Sequence, residues 1–437
     1  MPPAEVFLTK MKAVIARATE LAKAVSGCEG STMKRRNVLA GGAAGLAGAF
    51  LPADRSLARG ARLTGYLRSN WSRDPFSFGS YSYTPRGVFR GAHRALAEPV
   101  AGRIFFAGEA ANPDYGSTVH AAYESADYAV AALDEEEHED IAVIGAGIAG
   151  LRVAQLLDDA GYDVTLYEAR ERIGGRLWTD RSLGLPLDMG ASWIHGLAGN
   201  PLTDLADAAG VELIETGGDM IFRLRDGAVL DPEEVPDWLE EVIAFQHNAG
   251  ARRAKVNLAA FLSPRDYGGP EAVLREGYDR LLPGFDGDYD LLTGHELRLV
   301  QLDGDIGLRF ANGVEPRHDA MVLTVPLGVL KRGAISYVPP LPDRKRDAIE
   351  ALGMGVLDKL YLRFDAPFWG DDPTWIVTAE TGLPQGQFNQ WLNLLPVLGE
   401  PILLGFNGAD AARELAGQDD DALVGAALGV LERAYGL

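Results

Sequence analysis

Residues 141–176 constrain the fold of this chain more than any other part of the sequence. A short apolar run at 141–144 leads at once into a G-x-G-x-x-G turn, and the turn opens a helix with a periodic apolar face. A second apolar run at 164–167 ends at Glu168, whose carboxylate can accept a hydrogen bond from a ribose hydroxyl. The turn alone would be weak evidence, but strand, turn, helix, strand and terminal acid in this order predict a dinucleotide-binding unit.

The glycines of the turn have separate physical roles. Gly145 permits the tight turn, Gly147 lets a pyrophosphate approach the backbone, and Gly150 lets the helix pack closely on the sheet. The anion then lies at the N-terminus of the helix, where backbone N–H groups can bind it. We therefore expect the whole turn to bind the cofactor, namely Gly145, Ala146, Gly147, Ile148, Ala149 and Gly150.

The residues that follow Glu168 indicate that the bound dinucleotide is FAD. Ala169 and Arg170 come directly after it, and a glycine pair at 174–175 precedes Arg176. Guanidinium groups one turn beyond the ribose site can neutralise a diphosphate, because arginine matches phosphate oxygens with parallel hydrogen bonds. We accordingly assign cofactor binding to Glu168, Ala169, Arg170, Gly175 and Arg176.

Together with the segment DMGASWIHG at 188–196, this motif closely resembles the flavin amine oxidase family, which includes monoamine oxidases, polyamine oxidases and lysine-specific histone demethylases. A later run, MVLTVPLGVL at 321–330, matches a signature of the family's FAD domain. The resemblance implies an α/β fold with a Rossmann-like FAD-binding domain and an α+β substrate domain. It also implies cofactor contacts from Gly190, Ala191, Ser192, Trp193 and Leu297.

In this chain, two segments that resemble the C-terminal end of the family's sequences come before the dinucleotide-binding unit at 141–176, which we call the fingerprint. One is an apolar strand that ends at Gly108 and Glu109, and the other is a helix start at Thr118 and Val119. In the family, the Gly-Glu pair binds the ribityl-diphosphate and the helix start meets the flavin ring. The resemblance thus implies that all four residues contact FAD, and we expect the family fold in circularly permuted order.

The permuted order predicts that segments of the two domains alternate along the chain. The predicted segments are an N-terminal extension with a signal at 1–58, a substrate-domain strand and aromatic loop at 62–82, the C-terminal-type part of the FAD domain at 83–133, a linker at 134–140, further FAD-domain segments at 141–200 and 291–335, a substrate or cap region at 201–290, and the rest of the substrate domain at 336–437.

The resemblance also implies three residues at the reaction centre. Lys359 matches the family lysine that reaches a water beside flavin N5, and an apolar pocket would shift its pKa towards proton or oxygen chemistry. Tyr81 and Thr118 align with positions that flank the substrate in front of the flavin. An aromatic face favours an ammonium group by cation–π attraction. The structural alternatives are a surface lysine on an edge strand and a tyrosine packed in the core.

From these residues we expect an FAD-dependent amine oxidase. Its substrate would be a small cationic mono- or polyamine, which loses a hydride to flavin N5 with molecular oxygen as the acceptor. One alternative is an L-amino acid oxidase or flavin desaturase, and a carboxylate substrate would require an arginine in the cavity. Another alternative is a noncatalytic flavin-binding protein. The sequence shows no cluster of metal ligands.

Charge and cysteine content bear on the partners of the chain. It has 41 basic and 62 acidic side chains and a net charge of -21, which argues against nucleic acid and would concentrate cationic small molecules near the surface. The only cysteine is Cys28. Monoamine oxidases tether their flavin through a cysteine, and this sequence departs from that pattern. We therefore expect non-covalent FAD.

Residues 33–58 resemble a secretion signal. Arg35 and Arg36 precede an apolar stretch at 38–51, which is too short to span a bilayer, and small residues suited to cleavage follow. The arginine pair suggests the twin-arginine route. We expect export, to the periplasm, and no membrane span in the mature chain. A packed N-terminal helix in a cytoplasmic protein is the alternative.

Overall fold

The computed structural model describes residues 61–88, 91–262 and 267–437. The expected signal at 33–58, with Arg35 and Arg36, lies outside the described residues, as does Cys28.

The strands fall into two large sheets and several small ones. In chain order they are β1 Leu63–Arg68, β2 Tyr81–Tyr83, β3 Ile104–Phe106, β4 Asp140–Ile144, β5 Asp163–Tyr167, β6 Thr179–Asp180, β7 Leu187–Asp188, β8 Trp193–Ile194, β9 Leu213–Glu215, β10 Met220–Arg223, β11 Ala272–Leu274, β12 Asp290–Leu292, β13 Leu297–Asp303, β14 Asp305–Phe310, β15 Arg317–His318, β16 Ala320–Leu323, β17 Ser336–Val338, β18 Gly353–Gly355, β19 Leu357–Phe364, β20 Trp375–Thr378, β21 Gln387–Asn393 and β22 Ile402–Gly408.

The α-helices connect and cover these sheets. They are α1 Gly91–Ala97, α2 Val119–Leu133, α3 Ile148–Asp159, α4 Pro201–Ala208, α5 Asp237–Glu241, α6 Leu258–Phe261, α7 Leu327–Arg332, α8 Asp343–Ala351, α9 Leu395–Leu398, α10 Ala409–Leu415 and α11 Asp420–Tyr435. A π-helical turn, Val242–His247, continues directly from α5.

A five-stranded parallel sheet has the order β12-β5-β4-β16-β3. Apolar side chains cover both of its faces: α2 and α3 pack on one, and β13, β14 and α8 pack on the other. Parallel sheets are typically buried on both faces in this way. The sheet confirms the predicted Rossmann-like domain. Its edge strand β3 comes from before the fingerprint, as the sequence motifs required.

A six-stranded sheet has the order β1-β19-β22-β21-β20-β10 and is antiparallel apart from the β10–β20 pair. One face packs against α11 in a cluster that includes Leu362, Trp391 and Leu431. The other face carries a row of directly paired residues: Lys359 pairs with Phe406, and Phe406 pairs with Gln390. Paired residues in antiparallel strands point to the same side, so this row forms one surface.

The two ends of the described chain meet at this sheet. Leu63 and Leu437 belong to the same hydrophobic cluster, and the Tyr66 hydroxyl donates to Asp420 Oδ2 at 3.0 Å. The Arg68 guanidinium lies 2.9 Å from the same carboxylate. This adjacency is what a permuted chain requires, although the permutation relative to the family order stays a prediction.

Candidate functional site

A cavity of about 930 Å³ lies between the two large sheets. Residues from all parts of the described chain line it, including Glu109, Gly147 and Lys359. The cavity therefore brings together most of the residues assigned from the sequence, namely Tyr81, Gly108, Glu109, Thr118, Val119, Gly145, Gly147, Ile148, Ala149, Glu168, Ala169, Arg170, Gly175, Arg176, Gly190, Ala191, Ser192, Trp193, Leu297 and Lys359.

Two residues of the glycine-rich turn, Ala146 and Gly150, do not line the cavity, and their assignment as cofactor contacts stays a prediction. Ala146 is fully buried, and its backbone N–H donates to Glu168 Oε2 at 2.8 Å. Gly150 packs against the turn: a Cβ there would lie 1.8 Å from the Gly145 carbonyl oxygen. Both residues act beneath the turn, where they fix its shape.

The turn leaves backbone donors at the start of α3. Gly145 has φ of 102°, and Gly147, the residue before α3, provides no side chain to cap the helix. The first N–H groups of a helix attract anions when no side chain satisfies them. Glu168 lies beside the turn with both carboxylate oxygens fixed, because it accepts from Ala146 N and, at 2.8 Å, from Arg170 N.

Glu109 is almost completely buried in the cavity wall, just after β3. It accepts hydrogen bonds from Arg176 Nη1 at 2.8 Å, Ser82 Oγ at 2.6 Å and Ser117 N at 2.9 Å. Burial, the largest single effect, would raise its pKa, but Arg176 and the serine donors together hold the pKa of Glu109 below its ordinary value. Glu109 is thus an ionised anchor inside the cavity wall.

The sequence did not indicate the role of the two serines around Glu109. Ser117 has φ of 72°, a left-handed conformation that is costly for a residue with a side chain. Its N–H to Glu109 and its hydroxyl contact with the Ser82 carbonyl hold it there. A motif search could have found Ser117 only through its place between Gly116 and Thr118.

Lys359 is buried, and all three of its ammonium donors have protein acceptors. Nζ donates to the carbonyl oxygens of Asp188 at 2.8 Å and Gly190 at 2.6 Å, and to the Ser192 hydroxyl. Burial lowers the pKa of Lys359, and the nearby Asp188 carboxylate opposes that shift. Lys359 therefore holds the 188–192 segment against the sheet while it lines the cavity.

Tyr81 and Thr118 both face the cavity, but each has a structural partner. The Tyr81 hydroxyl donates to the carbonyl oxygen of His247, and burial raises the pKa of Tyr81 well above its ordinary value. Thr118 caps α2, because its Oγ1 accepts from Ala121 N at 3.1 Å. These contacts fix the orientation of both side chains at the cavity wall.

An aromatic wall, which the sequence analysis did not identify, continues the row from Lys359. We define it as Trp193, Trp375 and Phe406, whose ring centroids lie 5.9 to 6.2 Å apart. Lys359 Nζ lies 5.7 Å from the Trp193 ring centroid. Beyond Phe406, His247 Nδ1 lies 2.6 Å from Gln390 Oε1, and both side chains line the cavity.

A second group of cavity residues lies just beyond Trp193. His195 Nδ1 lies 3.2 Å from Glu271 Oε1, and about half of each side chain is exposed. His120 is buried beside them, with ring centroids 5.4 Å from Tyr115 and 5.3 Å from Tyr267. Because burial and then His195 lower the pKa of His120 to about 4, its imidazole is neutral at pH 7.

Comparison with known proteins agrees with this geometry. The family model for flavin containing amine oxidoreductases matches residues 49–134, 148–237 and 239–437. The chain belongs to this family. Polyamine oxidase 2 of Arabidopsis thaliana is 30% identical over 354 residues, which cover 67% of this chain and 72% of that protein. Probable polyamine oxidase 4 of the same plant is 28% identical over 344 residues, with coverage of 64% and 69%.

Solved structures show the same fold. A putrescine oxidase variant, from a redesign of cofactor binding, has a TM-score of 0.55 and 20% identity, and the match covers 68% of this chain and 81% of that one. The chain is thus an amine-acting oxidoreductase of the amine oxidoreductase family, with an FAD-binding domain and a substrate domain.

FAD is the cofactor of this family, and the cavity fits it. Gly147 bridges to Gly174, and a Cβ on Gly147 would meet no atom closer than 4.0 Å, so the missing side chain leaves open space in which a pyrophosphate would lie against the backbone. The arginines differ from expectation: Arg170 Nη2 lies 2.6 Å from Asp74, and Arg176 is paired with Glu109. Each guanidinium therefore reaches a diphosphate only with a carboxylate already beside it.

Within 61–88, 91–262 and 267–437, no group of three or more His, Cys, Asp or Glu side chains is placed to hold a metal ion. Across the same ranges, no helix combines the length and the apolar character needed to cross a bilayer.

Proposed function

We propose that this chain oxidises a small cationic amine, with hydride transfer from the amine-bearing carbon and molecular oxygen as the electron acceptor. When bound non-covalently, FAD would supply the two-electron acceptor at flavin N5. The described residues contain no cysteine that could tether it. The polyamine oxidase and putrescine oxidase relatives support an amine substrate in particular.

The observation that carries this proposal is the pairing of the cavity arginines. In the described part of the chain, Arg170 and Arg176 are the arginines that line the cavity. Arg170 pairs with Asp74 and Arg176 pairs with Glu109, in the part of the cavity assigned to FAD, which we call the cofactor half. A substrate carboxylate would therefore find no unpaired guanidinium there. This favours an amine over the amino acid substrate of the alternative, because a buried carboxylate requires a charged partner.

The protein's own groups orient the amine and exclude water. The aromatic wall of Trp193, Trp375 and Phe406 offers ring faces to an alkylammonium group. Lys359 holds the carbonyl groups of Asp188 and Gly190, which keeps the Trp193 segment in place. Since its pKa is lowered by burial, Lys359 can also give up a proton more readily than a surface lysine.

Anaerobic mixing with a panel of amines and L-amino acids tests the proposal. We expect alkylamines and polyamines to bleach the flavin absorbance, and the amino acids to leave it unchanged. Admission of oxygen should restore the oxidised spectrum and release hydrogen peroxide. Bleaching by amino acids alone would favour the amino acid oxidase alternative, and no bleaching by any compound would favour a noncatalytic flavoprotein.

A further inference from the structure

The three hydrogen-bond acceptors around the Lys359 ammonium group are not chemically alike. Two are the backbone carbonyl oxygens of Asp188 and Gly190, and the third is the Ser192 hydroxyl. A carbonyl oxygen accepts a hydrogen bond but has no proton of its own to pass on, whereas a hydroxyl group both accepts and donates. Among these three acceptors, Ser192 is therefore the one through which a proton can leave Lys359.

The two carbonyl groups are also held in place. The Asp188 carbonyl oxygen accepts a second hydrogen bond, from the Tyr361 hydroxyl at 2.7 Å. The chain at Gly190 is pressed against its neighbour, because a Cβ there would lie 1.8 Å from the Arg176 carbonyl oxygen. Neither carbonyl group can turn away from the ammonium group, whereas the Ser192 hydroxyl can change rotamer about its Cα–Cβ bond.

The proton of the Ser192 hydroxyl can point to Tyr361 or to the cavity. Burial raises the pKa of Tyr361 well above its ordinary value, and a hydrogen bond from Ser192 only opposes that shift. Tyr361 thus stays a neutral phenol, which cannot take up a further proton. The cavity is the other direction, and both Ser192 and Lys359 line it. A proton that leaves Lys359 through Ser192 therefore reaches the cavity and not another buried side chain.

Reduction of oxygen requires a proton in the cavity. Hydrogen peroxide forms when oxygen takes up a hydride equivalent, which brings two electrons and one proton, and then one further proton. Burial lowers the pKa of Lys359, and the Asp188 carboxylate opposes that shift, so the ammonium group can act as the acid. Because all three ammonium protons are donated to protein acceptors, direct release into the cavity would first break one of these hydrogen bonds.

We propose that Ser192 relays a proton from Lys359 to the cavity when oxygen is reduced. After oxygen has received the hydride equivalent as hydroperoxide anion, a Lys359 N–H bond breaks and a bond to Ser192 Oγ forms. The Ser192 O–H bond breaks at the same time, and its proton passes to the hydroperoxide. Lys359 becomes a neutral amine, Ser192 regains a hydroxyl, hydrogen peroxide forms, and no electrons are exchanged. The assignment rests on the proposed function and gives Ser192 a part in the reaction beyond contact with the cofactor.

Threonine and valine at position 192 provide a matched pair, because they have the same shape and differ in a hydroxyl or a methyl group. The full-length holoenzyme is reduced with one equivalent of dithionite and mixed with oxygen, so no amine is needed. Ser192→Thr should reoxidise near the wild-type rate, and Ser192→Val about 10- to 100-fold more slowly. In wild type and Ser192→Thr the rate should fall as pH rises through the pKa of Lys359, since only the charged form has a proton to give. Ser192→Val should lose this pH dependence.

The resting holoenzyme provides a second readout that does not depend on turnover. In the NMR spectrum of protein with isotope-labelled lysines, the Lys359 signal is identified by its absence from Lys359→Met. The pKa of Lys359 should be lower in Ser192→Val than in Ser192→Thr, because a hydrogen bond to the charged form is lost. The matched control is Ser69→Ala. Ser69 is also buried and its Oγ accepts from Lys359 N at 2.8 Å, but it does not line the cavity. Its reoxidation rate and pH dependence should match wild type.

The proposal is overturned if the threonine and valine variants reoxidise at the same rate, whether both are fast or both are slow. It is also overturned if Ser69→Ala is slowed as much as Ser192→Val, or if the pKa of Lys359 is the same in the two variants at position 192. If one of those variants loses FAD, Ser192→Ala beside wild type provides the same comparison. If reduced wild type consumes no oxygen or releases no hydrogen peroxide, the proposed electron acceptor itself fails.

Discussion

Replacement of Lys359 by methionine separates the two roles that this side chain can have. Methionine keeps most of the apolar length of the side chain but removes the ammonium group and its three hydrogen bonds. The Gly190 carbonyl oxygen and the Ser192 hydroxyl lose their donor, whereas the Asp188 carbonyl oxygen keeps the Tyr361 hydroxyl as a donor at 2.7 Å. The free energy of unfolding should therefore fall, and the rates of flavin reduction and reoxidation can change as well. A loss of rate beyond that of a variant with a similar loss of stability would show that the lysine acts on the reaction.

The stability effect follows from the acceptors left unpaired. The Ser192 hydroxyl can rotate to another partner, whereas the Gly190 carbonyl group is fixed in the backbone. A buried unpaired acceptor costs about 1–3 kcal/mol, so the unfolding free energy should fall by about 1–3 kcal/mol with FAD still bound. If the lysine also assists proton or oxygen chemistry, flavin reduction or reoxidation should slow by about 100-fold.

Lys331→Met provides the matched control. Lys331 Nζ also donates to three carbonyl oxygens, those of Ile349, Glu350 and Leu352, but this residue does not line the cavity. Urea unfolding should show comparable losses for the two variants, and stopped-flow traces of both half-reactions should be slow for Lys359→Met alone. Wild-type traces in Lys359→Met would refute a role in the reaction and leave Lys359 as a structural clamp.

Three further predictions concern the turn, acid stability and export. Gly150→Ala should lose most of its FAD, measured as flavin per protein, because its Cβ would lie 1.8 Å from the Gly145 carbonyl oxygen; Gly425→Ala, an exposed helical glycine with nothing within 4 Å, should keep it. Burial lowers the pKa of His247 to about 4, so the unfolded chain binds the proton more readily and stability falls as pH drops from about 6.5 towards 4. His247→Asn should reduce that fall by up to about 1.4 kcal/mol per pH unit in urea titrations, and an unchanged slope would assign the acid sensitivity to other groups. Finally, we predict export with cleavage near Arg59; an intact N-terminal methionine in the native protein would refute it.

Many residues of the cofactor half could be named from the sequence because they lie close together along the chain. The turn at 145–150 and Glu168 belong to one continuous βαβ unit, so spacing along the chain is enough to place them. Glu109 was also placed correctly in the cavity, from a short motif at the end of β3. At Glu109 the adjacent Gly108, with φ of 110°, provided the signal, whereas Glu168 was identified from its place at the end of β5.

The substrate half could not be predicted in the same way, because it depends on pairing between distant strands. Phe406 and Gln390 join Lys359 in one row only through the registers of β19, β22 and β21. Glu271 meets His195 only because β11 pairs with β8. In the cofactor half, the pairing of Arg176 with Glu109 was missed for the same reason, because it joins residues 67 positions apart. A single sequence does not encode such registers in any local pattern.

The chain order has a physical consequence for the site. The segment 61–133 supplies β1 to the substrate sheet and β3 and α2 to the cofactor sheet, so both domains are incomplete until it has docked. Glu109 and Tyr81 come from this one segment, yet their partners Arg176 and His247 come after the linker at 134–140. Because each large sheet takes strands from before and after that linker, the cavity between the sheets can form only after both sheets are complete. We therefore expect FAD, bound by Glu109 and the 145–150 turn together, to stabilise both domains as one unit and not the Rossmann-like domain alone.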